Sequence, residues 1–205
     1  MKQLKKDPLN LIITGVGGQG NVMIALIVGN VLVREGYSVT VGETYGASQR
    51  GGPVMSHLRI SSETQYGPII PDGCGDIILG MEPVETMRMM ERYGNPDVMT
   101  IINNRPIYSI DVTCGNAEYP DTSRLIEAIR SLSAKTWVIN ATGEAQKMGS
   151  HMYANAILIG ALVGADVLPI DRSLMEPVIK DAFPREIETN MAAFNRGIEL
   201  MQLAR

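Results

Sequence analysis

The spacing of apolar residues changes along the chain between a period typical of strands and one typical of helices. The continuous apolar run at Leu9–Thr14 predicts a buried strand. Apolar residues at helical spacing follow at 21–34, and Gly36 is a typical residue just beyond the end of such a helix. The first part of the chain therefore predicts a strand, a glycine-rich turn and a helix.

The same alternation continues through the next hundred residues. It predicts further strands at 37–43, 54–61, 75–80, 98–104, around 109–112 and at 136–140, and helices at 83–94 and about 121–132. After residue 140 only helices are predicted, and the last carries one apolar stripe of Ile187, Met191, Phe194, Ile198 and Met201. This order is typical of the α/β class, so we expect a Rossmann-like, largely parallel sheet flanked by helices, with a helical C-terminal part.

The predicted strand at 54–61 has one polar face. Met55, His57, Arg59 and Ser61 alternate with apolar residues and so share one side of the strand. We expect this strand at a sheet edge, or at a surface that something else covers, with His57 as a surface or interface residue. The second histidine, His151, is expected near the start of a helix.

Length and charge narrow the class of protein. The 205 residues fit a single domain, 1–205. There are 18 Lys and Arg residues against 22 Asp and Glu, a net charge of −4, so no broad positive field is available to hold a nucleic acid. We therefore expect no nucleic-acid partner.

The chain carries no pattern typical of secretion or of membrane insertion. Its first ten residues hold three lysines without an apolar signal region, and the longest apolar run, 156–165, is well short of the roughly 20 residues that span a bilayer. We expect a cytoplasmic protein without a membrane anchor. The cysteines, Cys74 and Cys114, are too few for a four-thiolate cluster, so we expect no metal site in this chain alone.

The first glycine turn, after the strand at Leu9–Thr14, is a candidate anion site. Gly15, Gly17 and Gly20 match the G-x-G-x-x-G pattern, and Gly18 and Gln19 complete the turn. Glycines allow close approach to a ligand, and free N–H groups at a helix start attract phosphate or carboxylate. A tight crossover that needs glycine only for packing is an equally weighted interpretation.

Two other functions fit this turn. Glu43 ends the second predicted strand, where an acid that binds ribose would be expected, so a free-standing NAD- or FAD-binding oxidoreductase is one alternative. Neither histidine has an evident catalytic companion, which argues against it. A non-enzymatic regulatory module that binds a small anion is the other.

A second glycine pair follows the second predicted strand. Gln49, Arg50, Gly51 and Gly52 form a polar segment directly before the strand at 54–61. The arginine offers a planar fork for a carboxylate or phosphate. Loops that follow parallel strands meet at one edge of the sheet, so we expect this segment close to the first glycine turn.

The two glycine segments, GVGGQG and YGASQRGGPVMSHLRIS, resemble the γ-type subunits or domains of the 2-oxoacid:ferredoxin oxidoreductases. The resemblance continues through GDIILGMEP, INNRP, NAEYPD, NATGEAQKMG, NAILIGALVGA and NMAAFNRG, nearly the whole chain. SQRGGPVMSHLRI and NRPI favour the indolepyruvate branch over the pyruvate, 2-oxoglutarate and branched-chain oxoacid branches.

The resemblance implies a subunit that is inactive alone. Enzymes of this family decarboxylate a 2-oxoacid oxidatively with thiamine diphosphate, Mg²⁺ and iron–sulfur clusters, reduce ferredoxin and release an acyl-CoA. It implies that this chain binds none of those cofactors alone and packs on a larger subunit that carries thiamine and the clusters. The residues implied to face substrate or CoA are Gly15, Gly17, Gly18, Gln19, Gly20, Glu43, Gln49, Arg50, Gly51 and Gly52, with Arg50 as the anion contact; no catalytic residue is assigned.

Overall fold

A computed structural model describes residues 3–45 and 51–203. In this part of the chain six strands form one sheet in the order β2-β3-β1-β4-β5-β6. The strands are β1 (Leu9–Val16), β2 (Ser38–Tyr45), β3 (Pro53–Ser61), β4 (Ile77–Gly80), β5 (Met99–Asn103) and β6 (Lys135–Ile139). The helices are α1 (Asn21–Arg34), α2 (Pro83–Tyr93), α3 (Ile110–Thr113), α4 (Thr122–Leu132), α5 (Ala141–Lys147), α6 (Ala154–Gly164), α7 (Arg172–Ala182) and α8 (Ile187–Leu203), with a 3₁₀ turn at His151–Tyr153.

The sheet is mixed because one strand, β3, runs antiparallel to the other five. β3 lies between β2 and β1 and is antiparallel to both, whereas β1, β4, β5 and β6 pair in parallel. Five of the six strands therefore run in one direction, and the predicted largely parallel α/β sheet is confirmed. The expected sheet-edge position of the strand at 54–61 is wrong, because β2 turns back through β3 before the chain continues.

The sheet separates two hydrophobic cores. Leu11 and Ile13 of β1 point to the face covered by α1 and the C-terminal helices, whereas Ile12 points to the face covered by α2 and α4. β1 is buried on both faces, which explains its continuous apolar run. The predicted helical C-terminal part is confirmed and covers the first of these faces.

Covering segments explain why the polar face of β3 is tolerated. Residues 66–70 lie over this side of the sheet, where the Thr40 hydroxyl donates to the Tyr66 carbonyl at 2.9 Å and Ile70 is buried. The expectation of a covering surface is therefore confirmed. The expectation that His57 is a surface residue is wrong, since it is only 1% exposed.

Two local predictions also differ from the structure. The segment at 109–112 forms the start of the single-turn helix α3 and not a strand, because the Ser109 hydroxyl caps it by accepting from the Val112 N–H at 3.3 Å. Ile187 of the predicted stripe is 40% exposed, while Phe194 and Met201 are buried. No helix within the described residues is long and apolar enough to cross a membrane.

Candidate functional site

The two glycine loops are joined directly at the carboxyl end of β1. The Gly17 N–H donates to the Gly52 carbonyl at 2.8 Å, and the Gly51 N–H donates to the Gly17 carbonyl at 3.2 Å. These bonds continue the ladder between β1 and β3, which ends at the Val16–Pro53 pair. The sequence-based expectation that the loops meet is confirmed. We call Gly15, Gly17, Gly18, Gly20, Gly51 and Gly52 together the glycine rim.

Positive φ angles explain two glycines of the first turn. Gly18 and Gly20 have φ of 104° and 91°, a backbone region that disfavours other residues. A Cβ atom on Gly18 would meet no heavy atom within 4 Å, so the turn is open to solvent or a ligand at this point. On Gly20 a Cβ atom would overlap the Asn155 amide of α6, so this side is closed.

The N-terminus of α1 opens onto the glycine rim. Its N-cap is Gly20, no hydrogen bond from a side chain caps it among the described residues, and its first turn holds no acidic residue. By contrast, side chains of Glu82 and Asn140 cap α2 and α5. The first turn of α1 therefore presents backbone N–H groups and the positive end of the helix dipole, which suit an anion.

Gln19 lies within the turn and faces the protein. Its Oε1 accepts from the Val16 N–H at 2.7 Å, and its Nε2 donates to the Met81 carbonyl at 3.1 Å. A Cβ atom on Gly15 would lie 2.5 Å from that Oε1, so Gly15 must be glycine for Gln19 to fit. Gln19 thus ties the turn to the end of β4, and its side-chain polar groups are engaged by the backbone.

The loops after β4, β5 and β6 meet at the same edge. The Met81 carbonyl also accepts from Asn103 Nδ2 at 3.1 Å, and this Nδ2 lies 3.0 Å from the Thr142 hydroxyl. Asn103 is 1% exposed, so these bonds form away from water. A line of hydrogen bonds therefore runs from Gln19 to the start of α5.

Glu43 lies beside the rim but is turned toward the interior. Its Oε2 accepts from the Ser56 hydroxyl at 2.7 Å, and Ser56 accepts from Asn21 Nδ2 at 2.9 Å. Burial raises the pKa of Glu43, and the Ser56 hydrogen bond opposes this in part. In a Rossmann unit the strand with the ribose-binding acid lies next to the glycine-bearing strand. Here β3 lies between β1 and β2, which argues against the dinucleotide interpretation.

A second buried carboxylate organises the loop after β5. Glu82, 1% exposed, caps α2 by accepting from the Glu85 N–H at 2.9 Å, and it accepts from the Tyr119 hydroxyl through a short hydrogen bond. Burial and the Glu82 carboxylate raise the pKa of the Tyr119 phenol. The ring of Tyr119 contacts that of Tyr108 edge to face, with centroids 5.2 Å apart. The segment 104–121 is thereby held at the same sheet edge as the glycine rim.

Two predicted site residues remain, and the two histidines were expected elsewhere in the chain. Gln49 and Arg50 lie outside the described residues. His57 is buried beneath 66–70 and is not part of the rim, and His151 is exposed at the 3₁₀ turn before α6, which confirms its expected place near a helix start. The structure thus brings together every predicted glycine, with Gln19 and Glu43 behind them.

Sequence reasoning missed the residues that support the rim. Asn155, Asn103 and Glu82 lie far along the chain from the glycine turn. They fall within NAILIGALVGA, INNRP and GDIILGMEP, which carry the family resemblance, but nothing in those segments links them to the turn. Each is a polar residue at the end of a strand, after one or at a helix start, which is common in α/β proteins. Their role depends on strand order, which local patterns do not contain.

Comparison with known proteins adds to this geometry. Residues 10–200 match the family model described as pyruvate ferredoxin/flavodoxin oxidoreductase. The chain is 35% identical over 192 residues to "Indolepyruvate oxidoreductase subunit IorB" of Thermococcus kodakarensis, an alignment that covers 93% of this chain and 94% of that protein. It is 33% identical over 190 residues to the protein of the same name from Archaeoglobus fulgidus, covering 92% and 93%.

A solved structure shares the fold. The 2-oxoglutarate:ferredoxin oxidoreductase of Magnetococcus marinus, solved with 2-oxoglutarate, coenzyme A and succinyl-CoA bound, matches 98% of this chain with a TM-score of 0.75 at 19% identity. The match spans 32% of that longer polypeptide. The same fold therefore occurs there within a larger chain.

Proposed function

This chain belongs to the pyruvate ferredoxin/flavodoxin oxidoreductase family, and from this we propose that it is the smaller subunit of an indolepyruvate ferredoxin oxidoreductase. The complex would convert indolepyruvate or another aryl pyruvate, with CoA, to an acyl-CoA and CO₂ while reducing ferredoxin. The similarity to two indolepyruvate oxidoreductase subunits along nearly their whole length supports this choice of oxoacid.

One observation of the structure carries the site proposal. The bonds between Gly17, Gly51 and Gly52 place two glycine loops at one rim, beside the N-terminus of α1. No acidic residue in the first turn of α1 opposes an anion there. We therefore propose that the rim accepts an anionic group of CoA or of the oxoacid, with Arg50 as its charged contact and Gln49 beside it.

The residues of this chain suit an anionic group of the substrate or of CoA but not an iron–sulfur cluster. Backbone N–H groups of the rim suit the phosphate or carboxylate of a bound substrate. An iron–sulfur cluster does not fit, because the whole chain has two cysteines, of which Cys74 is partly buried and Cys114 exposed. We assign the clusters to the larger partner subunit for this reason, and thiamine diphosphate and Mg²⁺ to the same subunit because the family resemblance implies it. When bound there, they supply the carbanion and electron-transfer chemistry.

On this proposal the chain contributes binding and enclosure. The glycine backbone lets a substrate approach closely, and the hydrogen bonds of Gln19 and of buried Asn103 keep the rim in place. Closing the rim against a partner subunit would exclude water and strengthen each polar contact to the substrate. On this proposal the chain is inactive alone.

Reconstitution tests the proposal. The purified chain, the larger cysteine-rich subunit, and their mixture are each assayed anaerobically for CoA-dependent reduction of a viologen dye by indolepyruvate. We expect activity only in the mixture, and a higher kcat/KM for indolepyruvate than for pyruvate, 2-oxoglutarate or a branched-chain oxoacid. Turnover by the chain alone would contradict the subunit assignment, and a preference for another oxoacid would contradict the substrate assignment.

A further inference from the structure

We propose that Gln19, the Met81 carbonyl, Asn103 and Thr142 form one positioning unit that fixes the glycine rim relative to the loops after β4, β5 and β6. Its kinetic consequence rests on the proposed function, whereas its effect on the turn itself does not. The unit is built of side-chain amides, a hydroxyl and one shared carbonyl, and none of these groups needs to contact substrate.

The first step of the argument is the geometry at Gln19. The first glycine turn has φ angles of 104° and 91° at Gly18 and Gly20, so glycine allows this turn but does not fix it. The side chain of Gln19 fixes the turn through two hydrogen bonds. Its amide holds the Val16 N–H at 2.7 Å on one side and the Met81 carbonyl at 3.1 Å on the other.

The second step is the sharing of the Met81 carbonyl. Gln19 Nε2 and Asn103 Nδ2 both donate to this oxygen, each at 3.1 Å. A carbonyl with two donors uses both lone pairs, so the two amides hold one another in place through it. Asn103 is 1% exposed, so leaving its amide without a partner there is costly.

The third step concerns the hydrogen bonds between Asn103 and Thr142, at the end of the unit farthest from Gln19. Asn103 Nδ2 lies 3.0 Å from the Thr142 hydroxyl, and the Thr142 N–H donates back to Asn103 Oδ1 at 3.4 Å. Thr142 lies in the first turn of α5, directly after β6. The unit thus spans four neighbouring strands of the sheet, and the position of the turn depends on all of them.

The test uses variants that remove the unit in stages. Gln19→Met keeps the length of the side chain and removes both bonds, whereas Gln19→Glu keeps the acceptor for the Val16 N–H and loses the donor to Met81. Gln146→Met, at an exposed glutamine on α5, is the matched control. Thr142→Val removes only the hydrogen bond from Asn103 to the Thr142 hydroxyl. This variant tests the proposal if the Gln19 variants do not fold.

Hydrogen exchange of the isolated chain measures the effect on the turn. The Gly17 and Gln19 amides are the reporters, because the Gly17 N–H donates to the Gly52 carbonyl of the second loop and the Gln19 N–H donates to the Val16 carbonyl. We expect about tenfold faster exchange in Gln19→Met, an intermediate rate in Gln19→Glu, a smaller increase in Thr142→Val and no change in Gln146→Met. Unchanged exchange in Gln19→Met, or in Thr142→Val if only that variant folds, overturns the proposal.

Kinetics of the reconstituted complex measure the consequence. We expect the KM for CoA or for the oxoacid to rise about tenfold in Gln19→Met while kcat changes less than about twofold, because positioning and not chemistry is altered. Faster exchange with unchanged KM overturns the link to substrate. A wild-type mixture without activity overturns the proposed function instead, and the exchange experiment then still decides whether the unit fixes the turn.

Discussion

At the scale of single residues, His57 makes stability depend on pH. It is 1% exposed, its Nδ1 accepts a weak hydrogen bond from the Ile70 N–H at 3.5 Å, and its ring packs edge to face on Tyr93. Burial, with a smaller contribution from Arg92, lowers the pKa of His57 from 6.5 to about 4. The unfolded chain therefore binds a proton more readily than the folded one between these values.

We expect stability to be lost as the pH falls through this window. The contribution of neutral His57 is fully present above pH 6.5 and declines toward pH 4, by about 2 kcal/mol between pH 7 and pH 5. Urea unfolding of the wild type and of His57→Gln at pH 7 and pH 5 measures this contribution. Between the two pH values the free energy of unfolding should fall by about 2 kcal/mol less in His57→Gln than in the wild type.

Two comparisons isolate the effect. Half-buried Glu43 and buried Glu85 have raised pKa values and act in the opposite direction, but they are present in both proteins and so cancel in the difference. His151→Gln, at an exposed histidine, should behave as the wild type. An equal loss of stability in the wild type and in His57→Gln would show that His57 is not the source.

At the scale of elements, α6 and α8 pack backbone against backbone. A Cβ atom on Gly197 would overlap the Ile157 carbonyl oxygen, and one on Gly160 would overlap the Phe194 carbonyl oxygen. Glycine usually lowers helix stability by about 1 kcal/mol relative to alanine. Here the close contact outweighs that cost, since any side chain would push the two helices apart.

This packing predicts opposite results for two glycines in helices. Gly197→Ala should lower the free energy of unfolding by about 2 to 3 kcal/mol, because the added methyl group overpacks the contact. Gly29→Ala in α1 should be neutral or stabilising by up to about 1 kcal/mol, since its Cβ would meet Val41 at an ordinary 3.7 Å. Thermal and urea unfolding of both variants measure this, and a Gly197→Ala protein as stable as the wild type would contradict the packing argument.

Elements whose patterns are long were predictable from sequence, and short ones were not. The helix expected at 21–34 is α1 with the same bounds, because fourteen residues of helical spacing end at a glycine. The apolar residues around Ile110 predict a strand, yet Ser109 caps a single helical turn there and Ile110 is 80% exposed. Four residues carry too little periodicity to separate the two states.

At the scale of the whole molecule, the sequence predicted the edge of the sheet at which the glycine loops lie, but not the order of the strands. Both glycine segments were expected at the carboxyl edge of the sheet, and Gly17 and Gly52 do pair there. The antiparallel return of β3 along β2 agrees with the short link between them, because a parallel crossover needs a dozen or more residues. Local patterns do not show that β3 also pairs with β1 and so lies between β1 and β2. The burial of His57 and the position of Glu43 both follow from that insertion.

The inserted strand also predicts that this chain does not bind a dinucleotide in the Rossmann manner. It moves Glu43 about 4.8 Å farther from β1 than an adjacent strand would place it, and the Glu43 carboxylate is already bonded to Ser56 at 2.7 Å. Titration of the isolated chain with NADH, followed by nicotinamide fluorescence, should therefore show no saturable binding up to about 1 mM. A NAD-dependent dehydrogenase under the same conditions is the positive control. Saturable binding that Glu43→Gln weakens would restore the dinucleotide interpretation, because only a ribose hydroxyl held by that carboxylate would produce both results.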